Sequence, residues 1–205
     1  MARKPMYDGG TKNKMIEVAS KLFFENGFDG TSVRSIMRGV GGEIGLFYYY
    51  YYKSKDDLFT DVMEHFFEPY KKDFERLVEE SRQKPYQGLL RFFMYVKDEV
   101  RTFRQKYEGN MHRTVRWAIR EQTLTVIEPY IEEIVNILIE NGANPIMNAR
   151  LTAVFLSHGV GGFLLHENSD WVDGCVDEMR GSVNAIMRFD EEITRKMIEK
   201  YENGK

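Results

Sequence analysis

An all-α chain is predicted by three observations. Apolar residues recur at i, i+3, i+4 and i+7 along most of the sequence. Glycine-containing stops separate the periodic stretches. The one segment with strong β-propensity, Phe47 to Tyr52, has no second strand-like run to pair with. With 205 residues, 42% hydrophobic and 30% charged, the chain has enough apolar material to bury a core.

The elements follow in order. Met15, Ile16, Ala19, Leu22 and Phe23 mark a first helix that stops at Asn26-Gly27, because glycine tolerates the left-handed backbone that ends a helix. Thr31 or Ser32 can cap a short second helix, whose inward face is Val33, Ile36, Met37 and Val40. A glycine turn, Gly39 to Gly42, comes next. Ile44, Phe47, Tyr48 and Tyr51 then restore helical phase inside an uninterrupted run of six aromatic residues. Ser54 and Asp57 match a capping box that opens a fourth helix, with Leu58, Val62, Phe66, Tyr70, Phe74 and Leu77 on its apolar face and Pro69 within it.

Beyond residue 58 the pattern is that of a helical bundle. Leu89, Phe93, Val96, Val100 and Phe103 form one apolar stripe. Leu124, Ile127, Ile131, Ile134 and Leu138 form another, ending at Asn141-Gly142. Asn144-Pro145 reads as the start of a further helix, and Trp171 to Met187 as a last long one. Ala149, Ala153, Ser157 and Gly161 lie four apart, as a ridge of small residues, and Gly174, Gly181 and Ala185 give the last helix a comparable side. Such ridges admit a close helix neighbour, either in a second copy of the chain or within one subunit.

Charge divides the chain. Nine Lys and Arg against five Asp and Glu leave residues 1–55 at +4, so −7 falls on the remainder of a molecule whose net charge is −3. A basic head on an acidic body points to a polyanion met by the head alone. A lone cysteine, Cys175, excludes an internal disulfide and a cysteine-rich zinc site. No stretch reads as a secretory signal or a membrane span, so the cytoplasm is expected. The four histidines are nowhere paired at i, i+3 or i+4, and no GxSxG, HExxH or P-loop occurs; neither an enzyme nor a resident metal or cofactor is expected.

Two short helices joined by a glycine turn, in the basic part of the chain, have the layout of a helix-turn-helix. In order and spacing, Ile16 to Gly42, the following tyrosines and Lys53 to Phe59 resemble the N-terminal domain of the TetR family of bacterial transcriptional regulators. Counted back from Lys55, the aromatic run is one residue longer than the usual pattern. The resemblance implies residues 1–54 as a DNA-binding domain and residues 55–205 as a helical ligand-binding and dimerisation domain. Thr31 and Ser32 fall where the second helix offers its N-terminus to phosphate, and Lys55 falls where the family's lysine touches the DNA backbone. Arg34, Arg38 and Lys12 are further candidates for phosphate.

A recognition helix presents one side to the major groove and another to its own domain. On that basis Glu43, Ile44 and Leu46 are candidates for base edges, Gly45 gives room for close approach, and Tyr49, Tyr50 or Tyr52 turn hydroxyls to the backbone. Phe47, Tyr48 and Tyr51 are expected to pack inward.

The resemblance also implies a homodimer built on the two small-residue ridges (Ala153, Ser157 and Gly161 with Gly181 and Ala185), reading a palindromic operator in double-stranded DNA and released by a small molecule. Phe92, Tyr95, Met111, His112, Trp117, Tyr130, Phe155 and His158 are candidate walls for a largely apolar or aromatic ligand. The alternative from another class is a helical interaction module without sequence-specific DNA binding.

Overall fold

The computed structural model describes residues 9–50, 53–107, 109–166 and 172–189, and among these every regular element is helical. In chain order they are α1 (Gly9–Asn26), α2 (Val33–Val40), α3 (Ile44–Tyr50), α4 (Lys55–Gln83), α5 (Gly88–Tyr107), α6 (Arg113–Glu140), α7 (Ala149–Leu156), α8 (Gly162–Leu164) and α9 (Val176–Met187). A π-helical turn, Ser157–Gly161, joins α7 to α8. Short 3-10 turns, Pro85–Gln87 and Val172–Cys175, precede α5 and α9. None of the described helices is long and apolar enough to cross a membrane.

The helix ends follow from local chemistry. Ser32, rather than Thr31, caps α2: its hydroxyl accepts from the Ser35 amide at 3.0 Å, and the Ser35 hydroxyl accepts from the Ser32 amide at 3.1 Å. Gly41 closes the same helix at φ 78°, its amide on Met37 O at 3.0 Å. At the start of α4 the Ser54 amide donates to the Asp57 carboxylate at 3.1 Å, one half of the expected capping box. The helix then runs through Pro69 without interruption.

One boundary differs from the sequence reading. Asn144-Pro145 does not begin a helix. The cap is Asn148, whose side chain accepts from the Leu151 amide at 2.9 Å, while the Ile146 amide is spent on Ile186 O at 2.9 Å and the chain bends at Ile146 and Met147. At the other end of the body, α9 begins only at Val176, and Trp171 lies outside the described residues.

The chain folds as two compact units. The first takes Met1–Lys71 together with Tyr107–Arg120, and the second Lys72–Lys106 with Glu121–Lys205. This division falls inside α4 and inside α6. In the first unit Met15, Ala19, Phe23, Ile36, Met37, Phe47, Leu58 and Val62 are buried, and Phe23, Phe28 and Phe59 pack ring on ring with centroids 5.2 to 5.6 Å apart. In the second, Ile127, Ile131, Ile134 and Leu138 of α6 form the central stripe, as their spacing predicts. Phe74 gathers Phe92, Tyr95 and Tyr130 around it at 5.1, 5.9 and 5.2 Å.

Gly27 ends α1 at φ 78°, with its amide on Phe23 O at 2.8 Å. Below it lies the ring of His112, whose own backbone amide donates to Phe24 O at 2.6 Å. A Cβ at Gly27 would stand 2.5 Å from the His112 ring, whereas a Cβ at Gly41, at the same φ, would meet open space. Gly41→Ala is therefore expected to lose only the backbone term, about 1–2 kcal/mol. Gly27→Ala is expected to lose measurably more in urea unfolding, with the excess recovered in a Gly27→Ala/His112→Ala double variant.

Candidate functional site

The entrance to α2 is the first part of the site. Thr31 is 1% exposed, and its hydroxyl points inward, within hydrogen-bonding distance of Gly27 O at 2.8 Å and Leu22 O at 3.0 Å. Its single proton is used in tying the α1–α2 connection to the end of α1, so Thr31 does not present its hydroxyl to a phosphate. Ser32, exposed at the cap, remains beside the free amides of the first turn of α2. Arg34 and Arg38, one turn apart on α2, are both exposed.

Lys55 departs from its expected role. Its ammonium donates to Phe28 O at 2.6 Å and Thr31 O at 2.8 Å and stands 4.0 Å from the centroid of the Phe28 ring. The side chain braces the α1–α2 connection from the first residue of α4 instead of reaching outward. Lys12 is paired with Asp61 at 2.7 Å.

The second part is α3. Glu43, Ile44, Gly45, Tyr48 and Tyr49 are exposed, Leu46 and Tyr50 are half-buried, and Phe47 is completely buried. Tyr48, expected to pack inward, is 52% exposed, because it lies one turn beyond Ile44 and shares that residue's outward side. Tyr49 is 64% exposed, and its ring meets Tyr50 edge to face at 5.0 Å. A Cβ at Gly45 would touch nothing, so this position is open to close approach. Tyr51 and Tyr52 lie outside the described residues. The outward side is thus one acid, one aliphatic residue, one glycine and two tyrosines. It suits apolar contact with thymine methyls and hydroxyl donation to phosphates better than bidentate reading of guanine.

This sequence and geometry have known counterparts. Residues 15–62 match the family description "Bacterial regulatory proteins, tetR family". The match places a TetR-type DNA-binding sequence in the N-terminal part of the chain. Over 115 residues it is 31% identical to a Bacillus subtilis protein named "Probable HTH-type transcriptional regulator YttP", an alignment that covers 56% of this chain and 51% of that one. The chain thus spans about half the length of this relative. Among solved structures, reduced NemR of E. coli superposes with a TM-score of 0.54 at 13% identity, covering 87% of this chain and 98% of the other. GusR of Salmonella enterica gives 0.53 at 16%, covering 91% and 100%. At these identities the two structures show the fold: a helix-turn-helix head followed by a helical bundle.

The expected ligand residues do not converge. Phe92, Tyr95 and Tyr130 pack on Phe74 as core, and the Tyr95 hydroxyl donates to the Asp73 carboxylate at 2.8 Å. Hydrogen bonds from Arg76 and Tyr95 hold the Asp73 carboxyl below the usual carboxylate range. Met111, His112 and Trp117 belong to the first unit: Met111 is buried, His112 holds the end of α1, and the exposed Trp117 carries the Arg113 guanidinium 4.2 Å from its ring. Phe155 is 56% exposed. His158 is exposed, with Nδ1 3.0 Å from the Ser157 hydroxyl and 3.8 Å from Glu128.

The second unit instead contains a cavity of about 140 Å³ between α5, the Val160–Leu164 segment and α9, lined by residues such as Leu89, Phe93, Lys97, Leu164 and Arg180. None of the eight expected residues lines it. Leu90 and Met94, exposed beside it on α5, are the sequence signal that was missed, being apolar positions outside the stripe of Leu89, Phe93 and Val96.

The small-residue ridge also resolves differently on its two helices. Ala153, Ser157 and Gly161 are buried inside the unit, and a Cβ at Gly161 would stand 3.1 Å from Ile127 and 3.3 Å from Leu124. They serve the approach of α7 to α6 within one subunit and are not available to a partner. The side that α7 and α8 turn outward carries Leu151, Phe155 and Phe163, while Gly181 and Ala185 are exposed on α9.

Lys55 and Arg34 are separable by salt dependence. Lys55→Ala is expected to lower stability and DNA affinity while leaving the slope of log affinity against log salt unchanged. Arg34→Ala is expected to leave stability unchanged and to reduce that slope by about 1, as the loss of one phosphate contact does. Fluorescence anisotropy on one duplex over a salt series, with urea unfolding alongside, reads both.

Proposed function

We propose that this chain is a ligand-responsive transcriptional repressor that acts in the cytoplasm, binding a near-palindromic operator as a homodimer and leaving it when a small, largely apolar ligand occupies the second unit. The observation that carries the reading is the outward face of α3 (Glu43, Ile44, Gly45, Tyr48 and Tyr49) in a domain of TetR-family sequence. A buried Phe47 anchors that face to the head while Glu43, Ile44, Gly45, Tyr48 and Tyr49 stay available to a groove. Ser32, Arg34 and Arg38 on α2 supply the polar and cationic contacts to phosphate.

The dimer is proposed on the outward side of α7 and α8. Leu151, Phe155 and Phe163 are large apolar residues, each about half exposed, and burial of the remaining half would contribute roughly 1 kcal/mol per side chain. Gly181 and Ala185 on α9 extend the same proposal, leaving room for close approach of a partner helix. Two heads related by a two-fold axis read half-sites about one helical turn, roughly 34 Å, apart. The switch requires that the ligand bind the DNA-competent and released conformations unequally. α4 is suited to carry it, because Lys55 at its first residue holds the α1–α2 connection and its later turns belong to the second unit.

Selection of the purified protein against random duplex DNA at two salt concentrations tests the reading. The expected result is enrichment of one palindrome at both. Binding that vanishes at the higher salt without any enriched sequence would overturn it in favour of an electrostatic attraction that reads nothing. A Leu151→Glu/Phe155→Glu variant is expected to sediment as a monomer and to lose the palindrome while keeping its helical circular dichroism. A dimer that survives both charges would place the interface elsewhere.

A further inference from the structure

The cavity of the second unit has a polarity that the candidate ligand class does not yet express. At one end Tyr86 and Phe189 meet edge to face at 5.9 Å, and the Tyr86 hydroxyl donates to Asn141 O, closing that end with aromatic rings. The walls are Leu89, Phe93, Val160, Leu164 and Val183. Tyr86 lies in the turn just before α5, and Lys97 lies nine residues beyond the first residue of that helix, Gly88, about 13 Å along its rise. Arg180 lies nine residues before Phe189 on the other side of the cavity. Both cations therefore come at the end opposite the aromatic closure. Among the described lining residues these are the charged ones, and none is acidic.

We propose that this cavity binds a small amphipathic monocarboxylate, its apolar tail toward Tyr86 and Phe189 and its carboxylate between Lys97 and Arg180. The proposal rests on the reading of the chain as an effector-responsive regulator and names the chemical class of the effector. Size sets the first limit: about 140 Å³ is close to the roughly 150 Å³ cavity that accommodates benzene, so the tail is a short chain or a single ring. Sign sets the second. An anion entering an apolar cavity loses hydration and needs a cation to replace it, whereas a cationic ligand meets two like charges.

Arg180 already pairs with Asp177 on its own helix, but both side chains are largely exposed and such a pair holds weakly. A guanidinium carries five donors and can take a second carboxylate without releasing the first. Asn184, also in the lining, adds an uncharged polar group from α9.

The test varies the head group on a constant tail. Octanoate, 1-octanol and octylamine are titrated into the full chain without DNA and followed by calorimetry. Saturable octanoate binding is expected, with 1-octanol at least roughly tenfold weaker and octylamine not bound. Lys97→Met and Arg180→Met, both at partly exposed positions, are each expected to weaken octanoate about tenfold and to leave 1-octanol unchanged. Val183→Trp, which fills the cavity, is expected to abolish both.

Absence of saturable octanoate binding, equal affinity for 1-octanol, or octanoate affinity indifferent to both charge substitutions would each overturn the proposal. The same titrations repeated on the operator complex keep the two readings apart. Octanoate that binds without changing DNA affinity supports the carboxylate site and removes the effector role, while DNA release by other compounds with no octanoate binding removes the site alone.

Discussion

The Lys55 ammonium, held between the carbonyls of Phe28 and Thr31 and over the Phe28 ring, fixes the connection on which the reading head depends. That connection has little regular structure of its own, and its carbonyls would otherwise lack partners wherever water is excluded. A hydrogen bond from a charged donor contributes about 1.5–3 kcal/mol, more than a neutral one, so the first residue of α4 sets the position of α2. Thr31 pulls the same connection toward Leu22 and Gly27 from within, and the His112 amide holds the end of α1 at Phe24. Two segments distant in sequence, at Lys55 and His112, thereby converge on the end of α1 and the connection that follows it.

With α2 so placed, the aromatic run divides its labour by phase. Among the described residues of the run, Phe47 is the one wholly enclosed, and α3 lies against α2. The neighbouring tyrosines have a polar tip and can stand in water or against a phosphate without the cost that a phenylalanine would meet. From Phe47 to Tyr50 helical geometry distributes the rings around an axis, where an exposed strand of the same residues would be an aggregation hazard. The rest of the hydrophobic material is split between two cores, one built on Phe23, Phe28 and Phe59 and the other on Phe74 and the α6 stripe.

Most helices were legible in the sequence because they are local. Periodic apolar residues, an Asn-Gly stop, a Ser32 cap and a Ser54/Asp57 start act within a turn or two of the chain, and α1, α2, α4 and α6 carry them in the expected places. Failures came where two local signals competed. Asn144-Pro145 and Asn148 both offer a helix start, and the choice between them accompanies a hydrogen bond to Ile186, some forty residues away. Tyr48 had the spacing of an inward residue, yet a seven-residue helix lying on one neighbour has a narrow buried side, and Phe47 fills it.

The sequence by itself determined the all-α class, the helix-turn-helix layout of the head and its basic charge, since each follows from composition or helical phase. Only the tertiary structure decided what a given polar or small residue is used for. Lys55 became a brace because two carbonyls lie within its reach. Ala153, Ser157 and Gly161 became an internal seam because α6 lies against them, leaving Leu151, Phe155 and Phe163 outside. Phe92, Tyr95 and Tyr130 became core because Phe74 stands among them, and the cavity formed elsewhere, where α5 and α9 bring Lys97 and Arg180 to one end of an apolar space. The physical reason is common to all of these: a residue's chemistry is written in the sequence, but its partners are set by which helices meet.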